Sequence, residues 1–387
     1  MKRNTYLSYS FFIFLSTLLL LHACKKEKQL SDEELTLQLR WNKGFANEPY
    51  SNIETGLLWS LSYMGAEMPK GALALTVEHN APDRVLLKLY NAGFSSDAKA
   101  HLAILISELK NTAEYKQTGG IDIGRFVLYT LYSPYHYYAL TNPQRTYSDF
   151  KSRYVKESPF QFAVKTSAVS SHERLITFSP VAAATDMAFI ADDGTGSIEA
   201  NNFEAQVHEC WAIMPNGQLR YAIYNTQGNL LDASTSEAGK PGKCMWCHEI
   251  AVQPLYTTGN NLPGYLTEQE FGSWVTSYQS LLNQYRSNLQ GEIDFSRKQD
   301  HALAELLYIT FMEPSAARLA LEWNMSETDV AARLNGLTTH VNAEYDWLGD
   351  LYNRKEVDAL SPYTCMQVPD DVREKSSYEP DLFHLHQ

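Results

Sequence analysis

The sequence predicts an α+β fold in which helical regions lie on both sides of an antiparallel β-rich middle. Two observations predict this class. Over residues 31–157, and again after about residue 264, apolar residues recur at spacings of three and four, which is typical of amphipathic helices. Over residues 158–235 the apolar period is two, which is typical of strands. The chain of 387 residues is 44% hydrophobic, so it has ample material for packed cores.

The first 23 residues have the features of an export signal. Lys2 and Arg3 precede an uncharged, mostly apolar stretch over residues 7–21. That stretch suits a signal-peptide core and is short for a membrane-spanning helix, which needs about 20 apolar residues. The sequence therefore predicts a signal peptide over residues 1–23 and a location outside the cytoplasm, where disulfides and covalent thiol chemistry are permitted.

A cysteine follows this signal directly. Leu21-His22-Ala23-Cys24 resembles a bacterial lipobox, in which the signal peptide is cleaved before the cysteine and the thiol carries a diacylglycerol. The resemblance implies that Cys24 is lipidated, that residues 24–30 form a polar tether, and that the protein binds the membrane through its lipid anchor. Lys25, in place of an aspartate, favours the outer membrane. The alternative is an ordinary signal peptide, or an anchor helix, with an incidental cysteine.

The charge balance excludes one class of protein. The chain has 32 Lys+Arg against 45 Asp+Glu, a formal charge of -13, and removing Lys2 and Arg3 with the signal peptide would leave -15. Nucleic-acid binders need a basic surface that offsets the phosphate charge. We therefore expect no nucleic-acid partner.

Several elements have local signals in the first two regions. Ser31-Asp32-Glu33-Glu34 has the pattern of a capping box and predicts a helix that leads to Trp41. Asn216-Gly217 favours a turn with positive φ and predicts a β-hairpin over residues 206–224. Asp192 to Gly196 are rich in turn-forming residues and predict a surface turn. The remaining predictions are helices over 53–64 and 97–115 and strands over 160–164, 175–178 and 186–191.

The last region, residues 236–387, contains a cysteine motif and a helical C-terminal part. Thr267-Glu268-Gln269-Glu270 is a second capping box and predicts a helix through Leu289. Further helices are predicted over residues 297–312, 314–323, 326–334 and 339–352.

The motif that carries chemistry is Cys244-Met245-Trp246-Cys247-His248. C-x-x-C-H is the attachment signature of c-type haem, and at this pentapeptide the chain resembles the c-type cytochromes. The resemblance implies that haem c is the cofactor, that Cys244 and Cys247 form thioether bonds to one porphyrin, and that His248 is the proximal ligand of its iron. Gly239-Lys240-Pro241-Gly242 precedes the motif and predicts a pliable approach that exposes the thiols.

The sixth iron ligand has several candidates. We predict Met312, since it lies 64 residues after His248 and directly precedes Glu313-Pro314, where a helix is expected to end. The other candidates are Met366, Met325, His301 and His340.

Three functions stay open at this point. The leading one is a membrane-anchored monohaem protein that exchanges electrons with redox proteins. The second is a haem enzyme with an open distal site, since a β-hairpin that leads into the motif is similar in architecture to cytochrome P460-like proteins. The third is a binding or structural lipoprotein without haem, in which Cys244 and Cys247 hold zinc together with His208 and Cys210, or form a disulfide. Cys210 and Cys365 could also pair with each other.

Overall fold

The computed structural model describes residues 30–78, 81–167, 170–231, 241–365 and 368. The described residues from Asp32 onward belong to one compact unit. The predicted signal peptide, the predicted lipidation site Cys24 and the candidate ligand Met366 therefore lie outside the described residues.

A small mixed sheet lies in the N-terminal part of the larger unit. Its strands are β1 (Thr36–Arg40), β2 (Leu75–Glu78), β3 (Ala81–Lys88) and β4 (Ile121–Asp122). Their order in space is β2-β3-β1-β4. The β3 strand pairs antiparallel with both β1 and β2, whereas β4 pairs parallel with β1.

A second sheet of six strands forms the middle of the chain. Its strands are β5 (Phe160–Ser167), β6 (Arg174–Phe178), β7 (Ala188–Thr195), β8 (Glu204–Ile213), β9 (Leu219–Asn225) and β10 (Tyr256–Asn260). The order is β10-β5-β6-β7-β8-β9, and every pairing is antiparallel. Together with the helices, the two sheets confirm the predicted α+β class.

Helices precede and follow the second sheet along the chain. Those before the second sheet are α1 (Tyr50–Tyr63), α2 (Ser96–Asn111), α3 (Ala113–Thr118), α4 (Ile123–Leu131), α5 (Pro134–Thr141) and α6 (Tyr147–Tyr154). Those after it are α7 (Pro241–His248), α8 (Glu268–Ser287), α9 (Ala302–Met312), α10 (Ala316–Trp323), α11 (Glu327–Arg333) and α12 (Arg354–Asp358). The apolar α9 packs against α1 and α4, so that helices before and after the second sheet share one core.

The helix predicted to follow Ser31 is wrong, because residues 36–40 form β1. Leu35, Leu37 and Leu39 are all buried, and this alternation is the period of a strand that has one face against the core. The pairing of β1 with β3 satisfies its backbone groups. The region over residues 31–157 therefore contains a sheet as well as the predicted helices.

The predicted β-hairpin is confirmed. β8 and β9 pair antiparallel from Val207 opposite Asn225 to Ile213 opposite Leu219, and Gly217 has a φ of 83° in the turn between them. The turn predicted over Asp192 to Gly196 begins too early, because β7 continues to Thr195 through a register shift next to Asp193.

Most of the C-terminal predictions agree with the structure. Thr267 and Glu270 form the predicted capping box at the start of α8, and α9, α10 and α11 occupy three of the predicted helical segments. The helix predicted over residues 339–352 is wrong. His340 and Leu351 instead form an antiparallel bridge, and Gly349 between them has a φ of 77°.

A network of buried charges connects the C-terminal helices to the first half of the chain. Arg318 Nη2 lies 2.9 Å from Asp122 Oδ1, and Arg354 Nη1 lies 2.8 Å from Glu322 Oε1. The Glu322 carboxylate also accepts from Arg318. These charges are paired and hydrogen-bonded, which is the condition for burying them. The network fixes α10 and α12 against β4.

No helix among the described ranges combines the length and the apolar character needed to cross a membrane.

Candidate haem-attachment site

The cysteine–histidine motif forms the second half of the short helix α7. Residues three and four apart share one face of a helix, so Cys244, Cys247 and His248 lie on one side of α7. Met245 is fully buried on another side and anchors the helix to the core. Of the approach predicted to be pliable, Pro241 and Gly242 already belong to the helix, since proline is favoured in a first helical turn; residues 239 and 240 lie outside the described ranges.

Aromatic rings hold the face of α7 that points away from the three motif residues. Trp246 Nε1 donates a hydrogen bond to the hydroxyl of Tyr132, and the Tyr132 ring stacks on Tyr308 of α9 at 3.6 Å. The same ring lies against Gly242, where a Cβ atom would come within 2.6 Å of it. Glycine at this position therefore allows the helix to approach Tyr132, and the two elements fix the orientation of the motif.

The two thiols differ in environment. Cys244 is half-buried and Cys247 is exposed. Burial, with a smaller effect of Glu209, raises the pKa of the Cys244 thiol well above its usual range. Cys244 is a free thiol in the structure. A neutral thiol at this position can add to an alkene but is a poor ligand for a metal ion, which needs the thiolate.

His248 is the last residue of α7, and its ring faces the second sheet. Its ring is 5.8 Å from that of Tyr221 on β9 and 6.4 Å from that of Trp211 on β8. Its Nδ1 atom is buried and has no hydrogen-bond partner within the described ranges. Burial, and to a lesser degree the charge of Arg174, lowers the pKa of His248 to about 4. The imidazole is therefore neutral at physiological pH, which is the form that binds iron.

The zinc site considered as an alternative is not assembled. His208 Nδ1 lies 2.6 Å from Asp192 Oδ1, and its ring stacks on Tyr147 at 3.8 Å. Cys210 is buried, and burial raises the pKa of its thiol, so it does not supply a thiolate. Over the described ranges, no three or more His, Cys, Asp or Glu side chains come together in a way that could hold a metal ion.

The two disulfides left open as alternatives are not formed in the described part of the chain either. Cys210 and Cys365 are both free thiols, and Cys365 is half-buried beside a different helical cluster, which is built around Leu319 and Trp323. Because Cys244 is also free, it is not bonded to Cys247.

The candidates for a sixth ligand lie in different surroundings. Met312 is buried at the C-terminal end of α9, next to Phe311, whose carbonyl accepts from Arg354. Met325 packs against the Leu319–Trp323 cluster, and His301 Nδ1 lies 2.5 Å from the Lys298 carbonyl oxygen. His340 is exposed, with Nε2 3.3 Å from Glu313 Oε1. Met312 stays a prediction, since the geometry does not favour it over an open sixth position.

Sequence reasoning missed four polar residues near the motif, which are Tyr63, Gln218, Tyr221 and Arg286. They come from α1, β9 with its preceding turn, and α8, so no local spacing connects them. One signal was available. Arg286 follows Tyr278 and Leu282 at intervals of four on the buried face of α8, and a charged residue in such an apolar stripe needs an explanation.

No protein-family model matches this chain, and the searches of curated proteins and of solved structures gave no match.

Proposed function

We propose that this chain attaches one haem covalently through Cys244 and Cys247, with His248 as an axial ligand, and that it transfers electrons at the cell envelope. The observation that carries the proposal is the C-x-x-C-H sequence on α7, whose helical spacing puts both thiols and the imidazole on one face. When bound, the haem supplies a one-electron iron couple.

The residues of the chain have separable roles in this proposal. Cys244 and Cys247 would hold the haem, since each thiol would add across one vinyl group, with the thiol proton going to the neighbouring carbon and no leaving group. His248 offers a neutral imidazole. Trp211 and Tyr221 form an aromatic wall beside His248 that excludes water from one side of it. Shielding of this kind is one of the means by which proteins tune the potential of a metal centre.

The proposed location rests on the N-terminal sequence. A lipid on Cys24 would attach the protein to the outer membrane, and the polar tether over residues 24–30 would separate it from the bilayer surface. Haem attachment to C-x-x-C-H motifs takes place in the same exported compartment. The lipobox-like sequence and the C-x-x-C-H motif therefore both support a location at the cell envelope.

A second candidate function is that of a haem enzyme with an open distal site. The contacts of His248 with β8 and β9 favour it, because they would set the haem against a sheet, as in the P460-like architecture. The two functions differ in the sixth ligand. A protein side chain at that position suits electron transfer, whereas an open position admits a substrate.

An absorption spectrum separates these functions. Produced in a host with a cytochrome c maturation system, the wild-type protein should have a strong Soret band, and Cys244→Ala with Cys247→Ala should abolish the covalently held haem. Cys210→Ala is the matched control, since it removes a buried thiol outside the motif. If carbon monoxide or cyanide leaves the spectrum of the haem protein unchanged, electron transfer is favoured; a rapid shift of the Soret band favours the enzyme. A colourless wild-type protein would contradict both.

A further inference from the structure

Arg286 on α8 is a buried cation that forms no ion pair with a carboxylate of the described residues. Its side chain lies under the ring of Phe295 at 4.2 Å, and the residue is 6% exposed. Nε donates to the Gly217 carbonyl at 2.9 Å and Nη1 to the Ile250 carbonyl at 2.5 Å. Nη2 is buried and has no hydrogen-bond partner in the part of the chain that the structure describes. Burial of an uncompensated charge is costly unless something neutralises it.

Two tyrosine hydroxyls beside Arg286 also lack hydrogen-bond partners. Tyr63 and Tyr221 are almost completely buried, and neither hydroxyl has a partner among the described residues. Two hydrogen bonds connect their strand and helix to Arg286. The guanidinium binds the turn at Gly217, and Gln218, which follows it, donates from Nε2 to the hydroxyl of Ser62 at 2.9 Å. Tyr63 follows Ser62 in α1. Tyr221 lies on β9, three residues after Gln218.

The electrostatics agree with this arrangement. Burial raises the pKa of Tyr63, and the charge of Arg286 is the largest effect that opposes the rise. Burial lowers the pKa of Arg286 to about 10, and the neighbouring Tyr63 and Tyr221 act against this lowering. Glu249 and Glu305 add smaller effects that also raise the pKa of Tyr63.

The group lies directly behind the cysteine–histidine motif. Tyr221 contacts the ring of His248, whose buried Nδ1 also has no partner. Ile250, whose carbonyl receives Arg286 Nη1, follows His248 by two residues. Four buried atoms near the motif, Arg286 Nη2, the hydroxyls of Tyr63 and Tyr221, and His248 Nδ1, therefore have no hydrogen-bond partner among the described residues. Leaving each such group unsatisfied would cost about 1–3 kcal/mol.

We propose that Arg286, Tyr63 and Tyr221 form a binding site for a small carboxylate. The guanidinium supplies the charge and one donor, and the two hydroxyls supply the others, so the anion would satisfy all three groups together. Two sources share this chemistry. One is a carboxylate of the porphyrin attached at Cys244 and Cys247, which rests on the proposed function. The other is a free monocarboxylate, which does not.

Thermal unfolding with formate as the probe tests the site. The wild-type chain is prepared with haem and, from a host without a maturation system, without it. Each form is unfolded in sodium formate and in sodium gluconate of equal ionic strength, since gluconate is too large to be enclosed. If the ligand is a free carboxylate, formate raises the unfolding temperature of both forms in a saturable way. If the ligand is a porphyrin carboxylate, formate stabilises only the form without haem.

Tyr63→Phe and Tyr221→Phe test whether these two hydroxyls bind the formate. Each should weaken the apparent Kd for formate by about tenfold, the effect of one lost hydrogen bond to a charged group. Tyr278→Phe is the control, because its hydroxyl donates to the Ser179 carbonyl at 2.7 Å, away from Arg286. It should leave the apparent Kd unchanged. The proposal is overturned if formate stabilises neither form, or if both tyrosine variants respond to formate as the wild type does. Either result can be obtained whether or not haem attaches at α7.

Discussion

The ring of Tyr221 lies 5.8 Å from the ring of His248, and their planes are inclined at 39°. This contact joins the β-hairpin of the second sheet to the helix that ends in the C-x-x-C-H motif. His248 therefore belongs to a helix and packs against a sheet. Side chains on such elements are held more precisely than side chains on loops. On its other face, α7 contacts Tyr132 through Trp246 and Gly242.

The close contact between Gly242 and Tyr132 predicts that Gly242→Ala destabilises the protein. The added methyl would come within 2.6 Å of a buried ring that is stacked on Tyr308, so ring or helix must shift. We expect a loss of about 1–3 kcal/mol in the free energy of unfolding, measured by chemical denaturation.

Gly272→Ala in α8 is the matched control. An added methyl there meets no atom within 4 Å, so the better helix propensity of alanine should stabilise the protein by about 0.5–1 kcal/mol. Equal effects of the two substitutions would contradict the packing of α7 on Tyr132.

The buried network predicts a large cost for removing one charge. Arg354 is fully buried, with bonds to Glu322 and to the Phe311 carbonyl. Arg354→Ala should destabilise the protein by about 3–5 kcal/mol, because Glu322 would lose a buried partner. Arg297→Ala removes an ion pair to Asp300 whose arginine side chain is 67% exposed, so it should cost well under about 1 kcal/mol. A loss below about 1 kcal/mol for Arg354→Ala would show that the network is not formed.

Glu114 extends the network, since its Oε1 accepts from the backbone N–H of Asp122 at 2.8 Å, and it adds a pH dependence. Its Oε2 lies 2.7 Å from Arg125 Nε, yet burial outweighs this charge and raises the pKa of Glu114 from 4.5 to about 7. Between these values the folded protein keeps a proton that the unfolded chain releases. Stability should therefore fall as pH rises through this window, by at most about 1.4 kcal/mol per pH unit, and should level off above it.

Glu114→Gln removes this titration. The stability of the wild type relative to this variant, measured by urea unfolding, should decrease as pH rises through the window of about 4.5 to 7. Glu327→Gln changes an exposed carboxylate and should leave the pH profile unchanged. A difference between wild type and Glu114→Gln that is independent of pH would contradict the shifted pKa.

The sequence predicted those parts of the fold that depend on local signals. Asn216-Gly217 predicted the β8–β9 hairpin, and Thr267 with Glu270 predicted the start of α8. The β1 strand was missed, because its acidic approach looks like a helix cap and its partner, β3, begins more than 40 residues later. Pairing over such a separation leaves no trace in a short window of sequence.

For the candidate site, the C-x-x-C-H signature singled out Cys244, Cys247 and His248, whose proposed chemistry stays a prediction. The structure adds that the three residues lie on one face of α7. The surroundings of His248 could not be predicted, because Trp211, Tyr221 and Arg286 reach the motif only through tertiary packing of the hairpin and α8.

The lipobox-like sequence predicts that Cys24→Ser changes the location of the protein. Without the thiol no diacylglycerol can be attached, so the variant should appear in the soluble fraction or remain uncleaved, whereas the wild type should fractionate with membranes. Membrane fractionation and the intact mass measure both outcomes. Cys365→Ser, which changes a thiol far from the N-terminus, should leave fractionation unchanged. A Cys24→Ser variant with the mass and membrane association of the wild type would contradict lipidation.

The central claim is that Cys244 and Cys247 hold one haem covalently. The most direct test is the mass of the proteolytic peptide that contains both cysteines, from protein produced with a maturation system and extracted with acidic acetone. The proposed attachment predicts that this peptide gains the mass of one haem, about 600 Da, and that Cys244→Ala with Cys247→Ala abolishes the gain. A wild-type peptide of unmodified mass, with both thiols free to react with an alkylating reagent, would contradict it.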